Sequence, residues 1–86
     1  MSLTLLKKDL KKKNIVFGTN KTIKELKNGK IERVYMSSNC PNNVRSDILY
    51  YSKIAGIKVI ELKENNEELA VICKKPFSVS ILSLLK

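Results

Sequence analysis

Ile15-Val16-Phe17-Gly18-Thr19-Asn20-Lys21-Thr22-Ile23-Lys24-Glu25-Leu26 is the stretch on which the fold turns. Its first three residues form a short apolar run that stops at a glycine, the pattern of a buried strand. A helix opens directly after it. Ile23 and Leu26 are spaced to point inward, and Asn28-Gly29 supplies a left-handed stop. Thr19 or Asn20 can serve as its N-cap. Thr22 and Glu25 also match a capping box, which would start the helix later.

The same strand-then-helix alternation continues on both sides. Residues 3–13 predict a basic amphipathic helix, with Leu3, Leu6 and Leu10 on one face and Lys7, Lys8, Lys11 and Lys12 around it. Asn14 breaks it. Arg33-Val34-Tyr35-Met36-Ser37 is a second strand. Ser38-Asn39-Cys40-Pro41-Asn42-Asn43 is a loop and helix start. Val44, Ile48, Tyr51 and Ala55 then recur at helical spacing through residues 43–55, and Gly56 closes that helix. Lys58-Val59-Ile60-Glu61-Leu62 is a third strand. Asn65 or Asn66 caps a short helix whose apolar side is Leu69, Ile72 and Cys73, and Lys74-Lys75-Pro76 ends it. Phe77, Val79 and Ile81 alternate with Ser78 and Ser80 at strand period. The order α-β-α-β-α-β-α-β with short connections predicts an α/β fold. It is a three-layer α/β/α sandwich around a small four-stranded sheet, in one domain spanning residues 1–86. Strand order does not follow from this pattern.

Composition narrows the function. With 86 residues there is room for one core, and 43% hydrophobic content is enough to fill it. No apolar run approaches the roughly 18 residues of a membrane span, and Met1-Ser2-Leu3-Thr4-Leu5-Leu6-Lys7-Lys8 does not have the order of a signal peptide. No membrane association is expected. Seventeen basic residues against eight acidic ones leave a charge of +9. Residues 1–30 hold nine Lys against Asp9 and Glu25, residues 31–73 are nearly balanced, and residues 74–86 add three Lys. If the two basic ends meet, they make one face suited to a polyanion, with nucleic acid the leading candidate. The plainer alternative is a lysine-rich surface that only solubilises. Cys40 and Cys73 are too few for a disulfide framework and read as reduced thiols in a cytoplasmic protein.

The residues do not read as an enzyme. With no His, a general base would have to be a carboxylate, Lys, Tyr or Cys. Glu67-Glu68 sits where a helix start favours acids. Cys40 lacks an activating imidazole, and two scattered Cys make neither a zinc site nor any other metal site. Gly18-Thr19-Asn20-Lys21 lacks the glycine spacing of a nucleotide-hydrolysing phosphate loop. No cofactor is expected. A helix start at that position still directs backbone N–H groups outward, Asn20 offers a donor and an acceptor to a base edge, and Lys21 and Lys24 can reach phosphates. The same segment reads equally as an Asn cap with two solvated lysines.

Phe17-Gly18-Thr19-Asn20-Lys21-Thr22-Ile23-Lys24 resembles the strand-to-helix signature of the kink-turn RNA-binding ribosomal proteins, the L-seven-Ae superfamily. Three further stretches resemble its large-subunit L-thirty-e branch. They are Ser38-Asn39-Cys40-Pro41, then Asp47-Ile48-Leu49-Tyr50-Tyr51-Ser52-Lys53, and Glu68-Leu69 followed by Lys75-Pro76-Phe77-Ser78-Val79-Ser80. The likeness runs from about residue 5 to residue 84 in the same order. It implies a mixed-sheet α/β/α sandwich and an RNA-binding face made by three neighbouring loops. The first loop carries Gly18, Thr19, Asn20, Lys21 and Lys24. The second runs from Asn39 toward Arg45. The third carries Lys74, Lys75, Pro76 and Phe77, with Val79 beyond. Asn20 and Asn39 are then base readers rather than caps, and Lys21, Lys24 and Lys75 phosphate contacts. Phe77 is partly exposed, free to pack on unstacked RNA.

The resemblance further implies a cytoplasmic, non-enzymatic constituent of the large ribosomal subunit. Its partners would be a ribosomal RNA kink-turn or related internal loop and other ribosomal proteins, and it would be monomeric when free. Two departures stand out. Relatives usually carry Gly-Lys-Pro where this chain has Lys74-Lys75-Pro76, and both chain ends are short for the family. A non-Gly residue tolerates positive φ poorly, so position 74 bears on the shape of the third loop. The rival readings are a sister branch serving an RNA-modification or ribonuclease P particle, and a basic adaptor that meets an acidic protein.

Overall fold

A computed structural model describes residues 2–11 and 14–86. The elements are α1 (Ser2–Leu10), β1 (Ile15–Phe17), α2 (Thr19–Lys27), β2 (Ile31–Met36), α3 (Asn42–Ala55), β3 (Lys58–Glu61), α4 (Asn66–Cys73) and β4 (Ile81–Leu85). The alternation expected from the sequence is present. The parts of the first-helix expectation that rest on the side chain of Leu3 and on Lys12 lie outside the description.

The sheet runs β1-β4-β2-β3. β4 pairs antiparallel with both β1 and β2, whereas β2 and β3 are parallel, so the sheet is mixed. The last strand in sequence thus lies inside the sheet, and Ile81-Leu82-Ser83-Leu84 is buried throughout. A strand covered on both faces needs apolar residues on both, which is why the run does not alternate. Leu82 packs with Leu6 of α1, Tyr35 of β2 and Leu69 of α4. Ile81 packs with Leu26 of α2, Val34 and Met36 of β2, and Ile48 of α3. Two helices therefore cover each face. Ile31 joins the same face as Val34 and Met36 although its parity is wrong for it. The register shift between Ile31 and Arg33 against β4 accounts for this, because one extra residue turns a strand over.

Two polar sites sit inside these layers. Thr22 on α2 and Ser83 on β4 are fully buried and hydrogen-bond each other at 3.1 Å. On the opposite face, Asp9 of α1 is 1% exposed and accepts a hydrogen bond from the Tyr35 hydroxyl. Arg33 Nε lies 3.5 Å from the same carboxylate oxygen. A buried carboxylate is tolerable only with such partners, so this cluster ties α1 to β2. Burial pushes the Tyr35 hydroxyl well above its usual 10.0, and the hydrogen bond to Asp9 and its negative charge add to this.

Several local expectations are corrected. Residues 77–80 are not strand; β4 begins only at Ile81. Val79 and Ile81 are both buried, but in the cores on opposite faces of the sheet rather than on one face as strand period requires, and the backbone between them bonds to two different elements instead of one neighbouring strand. Neither Thr19 nor Asn20 is the N-cap of α2. Gly18 takes that place without a side-chain cap, and Thr22 turns inward to Ser83 instead of building a capping box. The first helix ends at Leu10 with Lys11 in a turn, and the expected continuation through residues 12 and 13 lies outside the described residues. β2 extends back to Ile31, and Ser37 and Leu62 fall just beyond their strands. Ala55 closes α3 on the surface, not in the core. Of the two candidate caps before α4, Asn65 is used, in a full capping box with Glu68.

Tyr35→Phe is predicted to lower stability by about 1–3 kcal/mol near neutral pH, because Asp9 loses a buried donor. Above about pH 10 the unfolded wild-type chain releases the Tyr35 proton while the folded one retains it, so wild-type stability falls there. The variant lacks that loss, and its deficit must shrink. Urea unfolding at pH 7 and above pH 10 checks both; a deficit independent of pH would contradict the assignment.

Candidate nucleic-acid interface

The first loop is shaped by Gly18. Its φ of 105° and ψ of 154° lie in a region that is essentially glycine-only. That turn takes the chain from β1 into α2 in a single residue, with the Gly18 N–H donating to the Ile81 carbonyl at 3.0 Å. Because no side chain caps α2, its first N–H groups and positive dipole end face outward. Asn20 and Lys21 stand exposed on the first turn, and Lys24 is exposed one turn further on. Among the described residues, the Asn20 amide has no hydrogen-bond partner.

The second loop is fastened to the start of α4. Asn39 Oδ1 accepts from the Asn66 backbone N–H at 2.9 Å, and Asn39 Nδ2 donates to Asn66 Oδ1 at 3.0 Å. Ser38 N–H donates to the Glu64 carbonyl at 2.8 Å. Asn39 is therefore a tie between loops as well as an exposed amide, with one donor and one acceptor site left over. Arg45, at the start of α3, gives its guanidinium to the Glu61 carboxylate at the end of β3. β3 and β1 are opposite edges of the sheet, so the structure does not bring Arg45 to the Gly18 cluster.

The third loop begins with Lys74, the one positive-φ residue other than glycine among the described residues, at φ 57° and ψ 45°. This left-handed residue ends α4, with Lys75 N–H donating to the Ala70 carbonyl at 2.9 Å. Lys75 then reaches back so that its ammonium lies 4.7 Å from the centre of the Phe17 ring. Phe77 is 52% exposed, while Val79 is buried. A depression of about 240 Å³ separates Gly18 and Thr19 from Phe77 and Val79.

The loops share one support. Val79 N–H donates to the Asn66 carbonyl at 3.1 Å, the Ser80 carbonyl accepts from Ser37 N–H at 2.9 Å, and the Ile81 carbonyl accepts from Gly18 N–H. Gly18, Thr19, Lys75 and Phe77 are thus brought side by side, with Asn20, Lys21 and Lys24 on the helix that leaves the cluster. Asn39 joins it through Asn66. The role of Asn66 was not visible in the sequence, where it read only as one of two possible caps. Its partner lies 27 positions away in the chain.

A family model described as the ribosomal protein L7Ae/L30e/S12e/Gadd45 family matches residues 2–86. Among curated proteins, the large ribosomal subunit protein eL30 of Methanococcus maripaludis is 40% identical over 73 residues, which is 85% of this chain and 69% of that protein. The eL30 of Sulfurisphaera tokodaii is 38% identical over 80 residues, 93% of this chain and 76% of that protein. Among solved structures, a Bacillus halodurans protein of unknown function has a TM-score of 0.85 at 19% identity, over 98% of this chain and 83% of that one. A 15.5 kD RNA-binding protein of Giardia lamblia has a TM-score of 0.77 at 20% identity, over 98% and 70%. At such identities these two structures speak for the shared fold.

Lys74→Gly should raise stability by about 0.5–1 kcal/mol. It removes a left-handed cost of roughly 1–2 kcal/mol, partly offset by the greater freedom of glycine in the unfolded chain. Thermal unfolding checks this, and an unchanged or lower midpoint would count against strain at position 74.

Proposed function

The chain belongs to the ribosomal protein L7Ae/L30e/S12e/Gadd45 family, and from that premise we propose that it is a structural constituent of the large ribosomal subunit. Its role is structural and not enzymatic. It works in the cytoplasm as a single RNA-binding domain spanning residues 1–86, with ribosomal RNA and neighbouring ribosomal proteins as partners. The observation that carries this reading is the convergence of the first and third loops on one support, which gathers the lysines of both basic chain ends beside an uncapped helix start.

The finer reading is recognition of a kink-turn or a related internal loop. Lys21, Lys24, Lys74 and Lys75 neutralise phosphates, since an ammonium is a point charge without the fork that reads base edges. Both arginines are already engaged, Arg33 with Asp9 and Glu32, and Arg45 with Glu61. Base reading therefore falls to Asn20, whose amide is unengaged, and to the remaining donor and acceptor of Asn39. Phe77 offers an exposed ring to an unstacked base. These groups fit a bent RNA whose bases are splayed, because the deep, narrow major groove of an A-form duplex keeps its base edges from side chains.

The test is a paired titration at about 150 mM salt, using a kink-turn with tandem G·A pairs and a paired duplex of equal length. A preference of roughly 10²-fold for the kink-turn is expected, about 2.7 kcal/mol. Asn20→Ala should remove most of that preference, while Lys24→Ala should weaken both RNAs and flatten the salt dependence by about one unit. Equal losses on both RNAs from Asn20→Ala would sink the base-reading role.

A further inference from the structure

On the α1–α4 side of the sheet, a groove of about 770 Å³ runs between the end of α1, the edge strand β1 and the end of α4. That volume lies within the roughly 300–1,000 Å³ of sites that hold small organic groups. Every charged side chain lining it among the described residues is a lysine: Lys7 and Lys11 on one bank, Lys74 and Lys75 on the other. The floor is apolar, made by Leu10, Phe17 and Ile72, which lie half-buried against the core. A lysine-rich surface that served solubility alone would not need an apolar floor between its charges. The combination suits a ligand with a flat apolar body and anionic groups at its margin.

The groove adjoins the proposed RNA face, because Lys74 and Lys75 belong to both. We propose that it takes one unpaired nucleotide flanking the bent region of the RNA. The base lies against Phe17, Leu10 and Ile72, and the flanking phosphates meet Lys7 and Lys11. Lys75 now holds its ammonium over the Phe17 ring. A cation–π contact at an exposed site is weak, so the ammonium can move to a phosphate and leave the ring face to the base. An acidic protein segment would satisfy the lysines, but its carboxylates bring no flat group with them, whereas every nucleotide couples a flat base to a phosphate. This inference rests on the reading that the third loop meets RNA.

The experiment compares a kink-turn RNA with the same RNA carrying a three-nucleotide single-stranded extension at each strand end in turn. A third set carries abasic extensions with the same number of phosphates. One extension end should raise affinity about tenfold or more, the order that a stacked base adds, and its abasic counterpart should recover only a small part of that gain. Lys7→Glu combined with Lys11→Glu should abolish the gain and leave the kink-turn-over-duplex preference in place. Both residues are exposed, so folding is not at stake. Cys73, which also lines the groove, should be protected from maleimide by the extended RNA and not by the bare one. No gain at any end, or an equal gain from abasic extensions, overturns the groove site while the kink-turn preference stands. Loss of that preference in wild-type protein would instead overturn the reading on which it rests.

Discussion

Three consecutive residues, Val79-Ser80-Ile81, carry the structure's main constraint. Buried backbone polar groups must find partners, and here those partners come from three separate places: Asn66 at the start of α4, Ser37 just beyond β2, and Gly18 at the start of α2. The side chains of Val79 and Ile81 are buried at the same time, in the cores on the two opposite faces of the sheet. Neither a shift along the chain nor a turn about it is possible without orphaning an N–H or exposing an apolar side chain. The loops that form the candidate interface are thus held by the same bonds that hold the sheet together. Their arrangement is a property of the core rather than of three independent flexible segments.

The charges are sorted by a related rule. Both guanidiniums are used in pairs, Arg33 with the buried Asp9 and Arg45 with Glu61. The surplus charge left outside is lysine. An exposed ammonium costs little to keep hydrated and loses little when it trades water for a phosphate, so a lysine surface gives salt-dependent affinity without choosing a sequence. Selectivity must then come from shape and from the few amides in reach. Asn20 has its amide unengaged. Asn39 divides its own between the Asn66 tie and what approaches from outside. Position 74 shows a different compromise. Lys74 keeps the left-handed turn that closes α4 and adds a cation to the third loop, at a conformational cost.

The alternation of helices and strands, a cap at Asn65 or Asn66, the stop at Gly56, and the identity of most core residues were legible in the chain itself. They depend on neighbours within a few positions, and periodicity and turn chemistry report such contacts directly. The first loop was legible for the same reason, since a glycine between a short apolar strand and a helix admits few geometries. The errors arose where a local pattern competed with a distant partner. Thr22 looked like a cap until Ser83, 61 residues away, claimed its hydroxyl. Residues 77–80 had the period of a strand, but no single strand lies beside them to pair with. The pairing of Arg45, at the end of the second loop, with Glu61 on β3 was likewise out of reach of the local pattern.

The sequence by itself determined that this is a small α/β domain with lysine concentrated at both ends and a glycine-led helix start. Each of these is a matter of composition or of contacts between near neighbours. Only the tertiary structure decided that β4 lies between β1 and β2, that the two basic ends meet, and that a groove with an apolar floor opens between them. Those facts depend on which distant backbone groups pair, and many pairings are compatible with the same local preferences. The choice among them is made by burying both faces of one strand at once, a condition that exists only when the whole chain is folded.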